Sequence, residues 1–298
     1  MRDIQILMQH PVDDVVLTLI QGLAEKCKNI EQDVLATANA LIDDGQVCLD
    51  VERIVRDEIT LVFDNIHMPN KHIPLESMRR AAKNILRRFK KLFEEPGFGE
   101  IKGLLSRLSN CNNEGGKNEL MDVLCRELDK KKELPNDLGR ALDGFIDKYG
   151  AVSFDYLGDY NHKNKTITIY MQNIIKHNSY QCDEHVISTF AHEVFHAYHF
   201  HLIKLLNGSM MFRLFFRRRR EDNIVIESLA SYFEHHFDLR HHLNNRAHEI
   251  ENSWHLYSPR IYPYSGARWI TDEQHFKRIV DATAMDLDLA FRILKYHI

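Results

Sequence analysis

The sequence predicts a mainly α-helical protein with a small β-sheet, an α+β fold, on three observations. Apolar residues recur at helical spacing along most of the chain, one short segment alternates polar and apolar β-branched residues, and no internal repeat interrupts this pattern. With 298 residues the chain has room for one large domain or two ordinary ones.

Residues 12–41 place Val15, Val16, Leu19, Leu23, Ile30, Val34 and Leu41 at helical intervals and stop at Asp43-Asp44-Gly45. Residues 47–63 and 75–93 read as two further amphipathic helices, separated by a break at Pro69 and Pro74. The second carries a basic face of Arg79, Arg80, Lys83, Arg87, Arg88, Lys90 and Lys91, for which a solvated helix surface is the plain explanation. Asn112-Asn113-Glu114-Gly115-Gly116 is the strongest linker sequence, and short helices are predicted after it at 119–131 and 136–149. The composition then changes. Residues 165–170 alternate as a strand, and helices are predicted at 183–206, 223–236 and 272–295. The expected division is a helical N-terminal region of unknown role over residues 1–135 and a second region, 136–298, that carries the chemistry.

Composition excludes several classes. A net charge of -4 lacks the basic excess of a dedicated nucleic-acid binder, so no nucleic acid is expected. No stretch reaches the roughly 18 apolar residues of a transmembrane helix, and the N-terminus lacks a secretory pattern. The 5 cysteines are scattered and never spaced C-x-x-C, the usage of a reducing compartment, so a cytoplasmic protein is expected.

The chemistry concentrates at His192-Glu193-Val194-Phe195-His196. In H-E-x-x-H on a helix, the two imidazoles project from one face a turn apart and can reach a single Zn²⁺ at about 2.0–2.1 Å. Glu193 then lies within reach of an activated water as general base. In a chain with 18 histidines the motif alone is only moderately specific. Its setting adds weight, because Val186, Phe190, Val194 and Ala197 place it inside a buried helix. A histidine-rich helix with satisfied imidazoles is the plainer alternative.

A third protein ligand must come from elsewhere. The local extension H-E-x-x-H-x-x-G-x-x-H is excluded, since His199 and Leu202 occupy its two diagnostic places. Glu227, in Glu227-Ser228-Leu229-Ala230-Ser231-Tyr232-Phe233 on the following helix, is the leading candidate, because a buried carboxylate needs a partner and a metal supplies one. Glu234, Asp238, His235 and His236 are the alternatives, and a carboxylate favoured by a helix N-terminus is the plain reading of Glu227.

HEVFH followed by ESLASYF resembles the gluzincins, the thermolysin-like zinc peptidases whose third ligand is a glutamate on the next helix. The resemblance covers residues 166–264 and leaves the N-terminal half without a counterpart. It implies a zincin-like metallopeptidase domain over 136–298, one zinc ion held by His192, His196 and Glu227, Glu193 as base, and a peptide or protein substrate. It also implies a strand before the metal helix that holds extended peptide by edge pairing, a role for which residues 166–170 are suitably placed. Thermolysin has an aspartate four residues after its third ligand to orient a zinc-bound histidine, where this chain has Ser231. Glu234 and Asp238 are the candidate substitutes.

The resemblance further implies an oxyanion donor downstream of the glutamate helix. Tyr264 is the first candidate and Tyr262 the second, on a loop with Pro259, Pro263 and Gly266, and Arg268 is a candidate contact for a substrate carboxylate. Tyrosines that pack the loop are the plainer reading. His199, His235, His236, His241 and His242 have exposure or support of the site as their default explanation. The Phe212–Arg220 run is best read as a surface insertion; Arg217, Arg218, Arg219 and Arg220 as a peripheral membrane contact is the weaker reading, and arginines lining a cleft for acidic substrates a third. The alternative from another class is a catalytically inactive, zincin-like zinc-binding regulatory or protein-interaction module.

Overall fold

A computed structural model describes residues 1–7, 14–42, 45–64, 74–130, 134–150, 157–177, 182–215 and 220–296. Its elements run β1 (Asp3–Leu7), α1 (Asp14–Ile42), α2 (Gly45–Glu58), β2 (Thr60–Asp64), α3 (Leu75–Arg88), α4 (Gly99–Leu108), α5 (Glu114–Lys130) and α6 (Asn136–Tyr149). They continue with β3 (Gly158–Asn161), β4 (Thr166–Tyr170), α7 (Met171–His177), α8 (Cys182–Phe215), α9 (Arg220–Arg240), α10 (Asn244–Leu256), α11 (Glu273–Met285) and α12 (Leu287–Tyr296). The described chain is thus mostly helical with one small mixed sheet, the α+β class expected.

It divides into two compact units, one of Met1–Pro69, Asp155–His255 and Gly266–Ile298, the other of Asn70–Phe154 with Leu256–Ser265. The boundary expected at residues 135/136 coincides with neither. Residues 1–69 belong with the C-terminal elements because they contribute two of the four strands.

In the first unit the strand order is β1-β2-β4-β3. β1 pairs parallel with β2 (Asp3 opposite Thr60), β2 parallel with β4 (Thr60 opposite Thr166), and β3 antiparallel with β4 (Asn161 opposite Thr166). The β3–β4 turn is set by Asn161, whose Oδ1 accepts from the Lys163 amide at 3.0 Å, and by Lys165, which sits at φ 54°. Leu61, Phe63, Ile167 and Ile169 join Val186, Phe190, Val194 and Phe195 of α8, Phe233 of α9 and Phe276 of α11 in one core. Helix α8 is buried on nearly all sides at its middle, where Ala191, Val194, Phe195, Ala197 and Tyr198 are fully enclosed.

Several expectations are corrected. Residues 47–63 are not one helix: α2 ends at Glu58 and Thr60-Leu61-Val62-Phe63 is a strand flanked on both sides by parallel neighbours. Interior parallel strands read as continuous apolar runs, which periodicity does not separate from a buried helix. The strand at 166–170 is present, but it lies inside the sheet, so it has no free edge for a peptide; the edge beside it belongs to β3. The linker expected near residue 113 is the start of α5, where Asn113 Oδ1 accepts from the Gly116 amide at 2.7 Å. The helix expected over 272–295 is two, α11 and α12, divided at Asp286, whose extended backbone (φ -161°) interrupts the helical hydrogen bonds.

In the second unit α3 to α6 enclose Met78, Ile85, Leu105, Leu124, Leu142 and Phe145. The segment Leu256–Ser265 is fastened there by Ile261 in the core, by the Ser258 amide donating to Asp122 Oδ1, and by Arg260 against Asp129 (3.1 Å) and Asp143 (3.5 Å). The basic residues Arg80, Lys83, Arg87, Arg88, Lys90 and Lys91 are exposed, as a solvated helix face requires. All 5 cysteines are free and buried, and among the described residues no helix is long and apolar enough to cross a membrane.

Candidate metal centre

Helix α8 presents Ser188, His192 and His196 one turn apart on one face, and α9 presents Glu227, Glu234 and Asp238 opposite them. Contacts pair descending numbers on α8 with ascending numbers on α9, so the two stripes face each other head to tail. Between the two helices Phe195 stacks on Phe233, their ring centres 4.7 Å apart, and Phe195 also lies tilted 5.7 Å from Phe276 of α11.

Three donor atoms converge. His192 Nε2 and His196 Nε2 are 3.0 Å apart, and Glu227 Oε2 lies 3.5 Å from the first and 3.3 Å from the second. Ligands at the roughly 2.1 Å bond lengths of tetrahedral zinc are separated by about 3.4 Å. The observed triangle is close to that spacing. Glu227 Oε2 is buried and makes no hydrogen bond, because both imidazoles are near it without the required alignment. A buried carboxylate oxygen facing two imidazole nitrogens is a donor set that suits a divalent cation. His192, His196 and Glu227 form a group that could hold a metal ion.

The electrostatics follow from enclosure. Burial opposes charge on Glu227, but His196 and His192 outweigh it and hold the carboxyl well below its ordinary range. Burial likewise opposes a charged His192, yet Glu227 and Glu234 raise its pKa well above the usual value with only protein groups present. Glu193 is 7% exposed, and burial, which the two imidazoles only partly offset, pushes it up to about 7. A carboxyl with that pKa exchanges a proton readily at neutral pH.

The orientation of His192 comes from Glu234. Its Oε2 accepts from His192 Nδ1 at 2.9 Å, which leaves Nε2 with the lone pair a metal needs. Ser231, at the place of the expected aspartate, instead accepts from Trp254 Nε1 at 2.8 Å. Seven residues beyond Glu227 is two helical turns, so Glu234 returns to the same face, and its longer side chain spans the gap.

Sequence reasoning missed Gly158. A Cβ there would lie 2.8 Å from both Glu193 Cγ and Thr189 Cγ2, so only glycine lets the β3 backbone approach the acid this closely. A lone glycine ahead of a short strand carries no local signal of that contact. Ser188 and Arg246 were missed for the same reason, being linked to Glu234 only through the tertiary fold.

The remaining candidates have other surroundings. Thr283 Oγ1 donates to Val280 O (2.6 Å) and therefore accepts from His199 Nε2 (2.8 Å), so His199 is a buried structural donor; burial pushes its pKa down to about 3. His235 packs on Trp254, His236 faces Glu273 at 3.9 Å, and His241 stacks on Phe237. Arg268 Nη1 donates to Trp254 O at 3.1 Å. Tyr262 and Tyr264 belong to the second unit, where their rings lie 5.0 Å apart. Residues 216–219, with Arg217, Arg218 and Arg219, lie outside the described residues, as do the side chain of Arg220 and residues Asp43, Asp44 and Pro69. No family model, no curated protein and no solved structure matches the chain.

Proposed function

We propose that the chain is a single-zinc peptidase of gluzincin type, with a zincin-like arrangement in its first unit. The observation that supports this most is the triangle of His192, His196 and Glu227 donor atoms with Glu193 one residue along from the first ligand. When bound, zinc supplies a Lewis acid that polarises a carbonyl and lowers the pKa of water towards 7.

The chain's own groups do the rest. His192 and His196 offer Nε2, and Glu234 fixes the ring of the first. Glu193, buried and held near neutral pKa, accepts the proton of the attacking water and returns it to the departing amine. Its enclosure by Gly158 and Thr189 keeps the carboxyl in one place. Among the described residues β3 is the outer strand of the sheet and runs next to Glu193, which suits an extended peptide laid beside it. A cytoplasmic location is part of the same reading.

Glu193→Gln tests the reading against the inactive-module alternative. A peptidase keeps its zinc and loses hydrolysis of a mixed peptide library by on the order of 10²–10⁴-fold. Undiminished hydrolysis by this variant contradicts the assignment of Glu193, and absence of hydrolysis by the zinc-loaded wild type favours the binding module.

A further inference from the structure

Behind the metal centre lies a buried polar chain that the zinc chemistry does not itself require. Ser188 Oγ is 2.6 Å from Glu234 Oε1, 2.8 Å from Asp238 Oδ2 and 3.3 Å from Arg246 Nε. Ser188 and Asp238 are fully buried, and Glu234 is 6% exposed. A hydroxyl has one proton and two lone pairs. It cannot donate to both carboxylates, so one of the two close contacts must be made by a proton on a carboxyl group.

The surroundings decide which. Arg246 Nη2 bonds Glu234 Oε1 at 3.2 Å, and His192 donates to Glu234 Oε2, so Glu234 has donors on both oxygens. Asp238 has neither. Its Oδ1 is buried with no hydrogen bond, and among the described residues no cation is bonded to it. The charged groups facing it are Glu234 on its own helix, Arg246 on α10 and Glu184 on α8. An ionised Asp238 would leave a charged oxygen unsatisfied beside another carboxylate, whereas the neutral acid leaves only a carbonyl oxygen unpaired.

We propose that Asp238 is a positioning residue for the metal centre: held as the neutral acid, it donates to Ser188 Oγ, which donates to Glu234 and so fixes the carboxylate that orients His192. Every lone pair and proton of Ser188 is then used, with Asp238 and Arg246 as its donors and Glu234 as its acceptor. Burial and the neighbouring Glu234 push the Asp238 carboxyl up to about 8, against the pull of Ser188 and Arg246, in keeping with this assignment. The proposal rests on the zinc-peptidase reading only for its effect on zinc.

The test uses the full chain in two arms. Infrared difference spectra of wild type against Asp238→Asn at neutral pH are expected to show a protonated-carboxyl C=O band in the wild type that is missing from the variant. Competition titration with Zn²⁺ is expected to give Asp238→Asn wild-type affinity, since the amide donates to Ser188 as the acid does. Asp238→Ala, or Ser188→Ala should the former not fold, is expected to weaken zinc by on the order of tenfold. Absence of the protonated band, or equal weakening by the asparagine and alanine variants, overturns the proposal. Failure of the wild type to bind zinc counts against the peptidase reading alone, because the infrared arm still decides the state of Asp238.

Discussion

His192 Nδ1 lies 2.9 Å from Glu234 Oε2, and both side chains are 7% exposed. This pair turns the other ring nitrogen of His192 towards His196 and Glu227, while Ser231 is engaged by Trp254.

Removing the orienting carboxylate is therefore expected to loosen the metal without removing any ligand. Glu234→Ala should weaken zinc binding about 10–100-fold, measured by competition with a chromophoric chelator. An unchanged dissociation constant would show that His192 is held by packing alone.

Gly158 is expected to matter more for turnover than for the metal. In Gly158→Ala the new methyl meets Glu193 Cγ and Thr189 Cγ2 at 2.8 Å, so the acid must move while the three ligands need not. The variant should lose about 1–3 kcal/mol of stability, keep its zinc, and lose hydrolysis by up to about 100-fold. Parallel metal analysis and peptide assays separate the two effects; loss of zinc with turnover per bound zinc preserved would contradict the contact.

Acid sensitivity should trace in part to His199. Its folded pKa is lowered to about 3 by burial against an ordinary 6.5, so between these values the unfolded chain binds more protons than the folded one. Its contribution to stability is complete above pH 6.5 and is lost as the pH falls towards 3, at no more than about 1.4 kcal/mol per pH unit. Glutamine retains a donor for Thr283 but does not titrate. Urea unfolding of wild type and His199→Gln between about pH 7 and pH 4 should show the wild type losing stability faster. Parallel pH profiles would remove His199 from the account.

Local patterns were the legible part of this chain. Helix α6 has the bounds its sequence predicts, α1 differs from prediction only at its ends, and the strand at 166–170 alternates as expected. The grouping of His192, His196 and Glu227 was legible for the same reason, since the histidines are one turn apart and Glu227 stands out as a carboxylate among apolar neighbours. What stayed hidden is long-range. β2 looked like helix because an interior parallel strand is apolar on both faces. Gly158, Ser188 and Arg246 meet partners tens of positions away, Arg246 through Ser188. The place of Glu234 is intermediate, because two turns after Glu227 is readable as a face but not as a contact.

The central claim, that His192, His196 and Glu227 hold one zinc ion, is tested most directly by metal analysis combined with X-ray absorption at the zinc edge. The expected result is one zinc per chain, with two imidazole nitrogens and carboxylate oxygen at about 2.0–2.2 Å and a water-accessible fourth position, and loss of that signal in Glu227→Ala. A chain that takes up no stoichiometric zinc, or a zinc whose coordination is unaltered by Glu227→Ala, would contradict it.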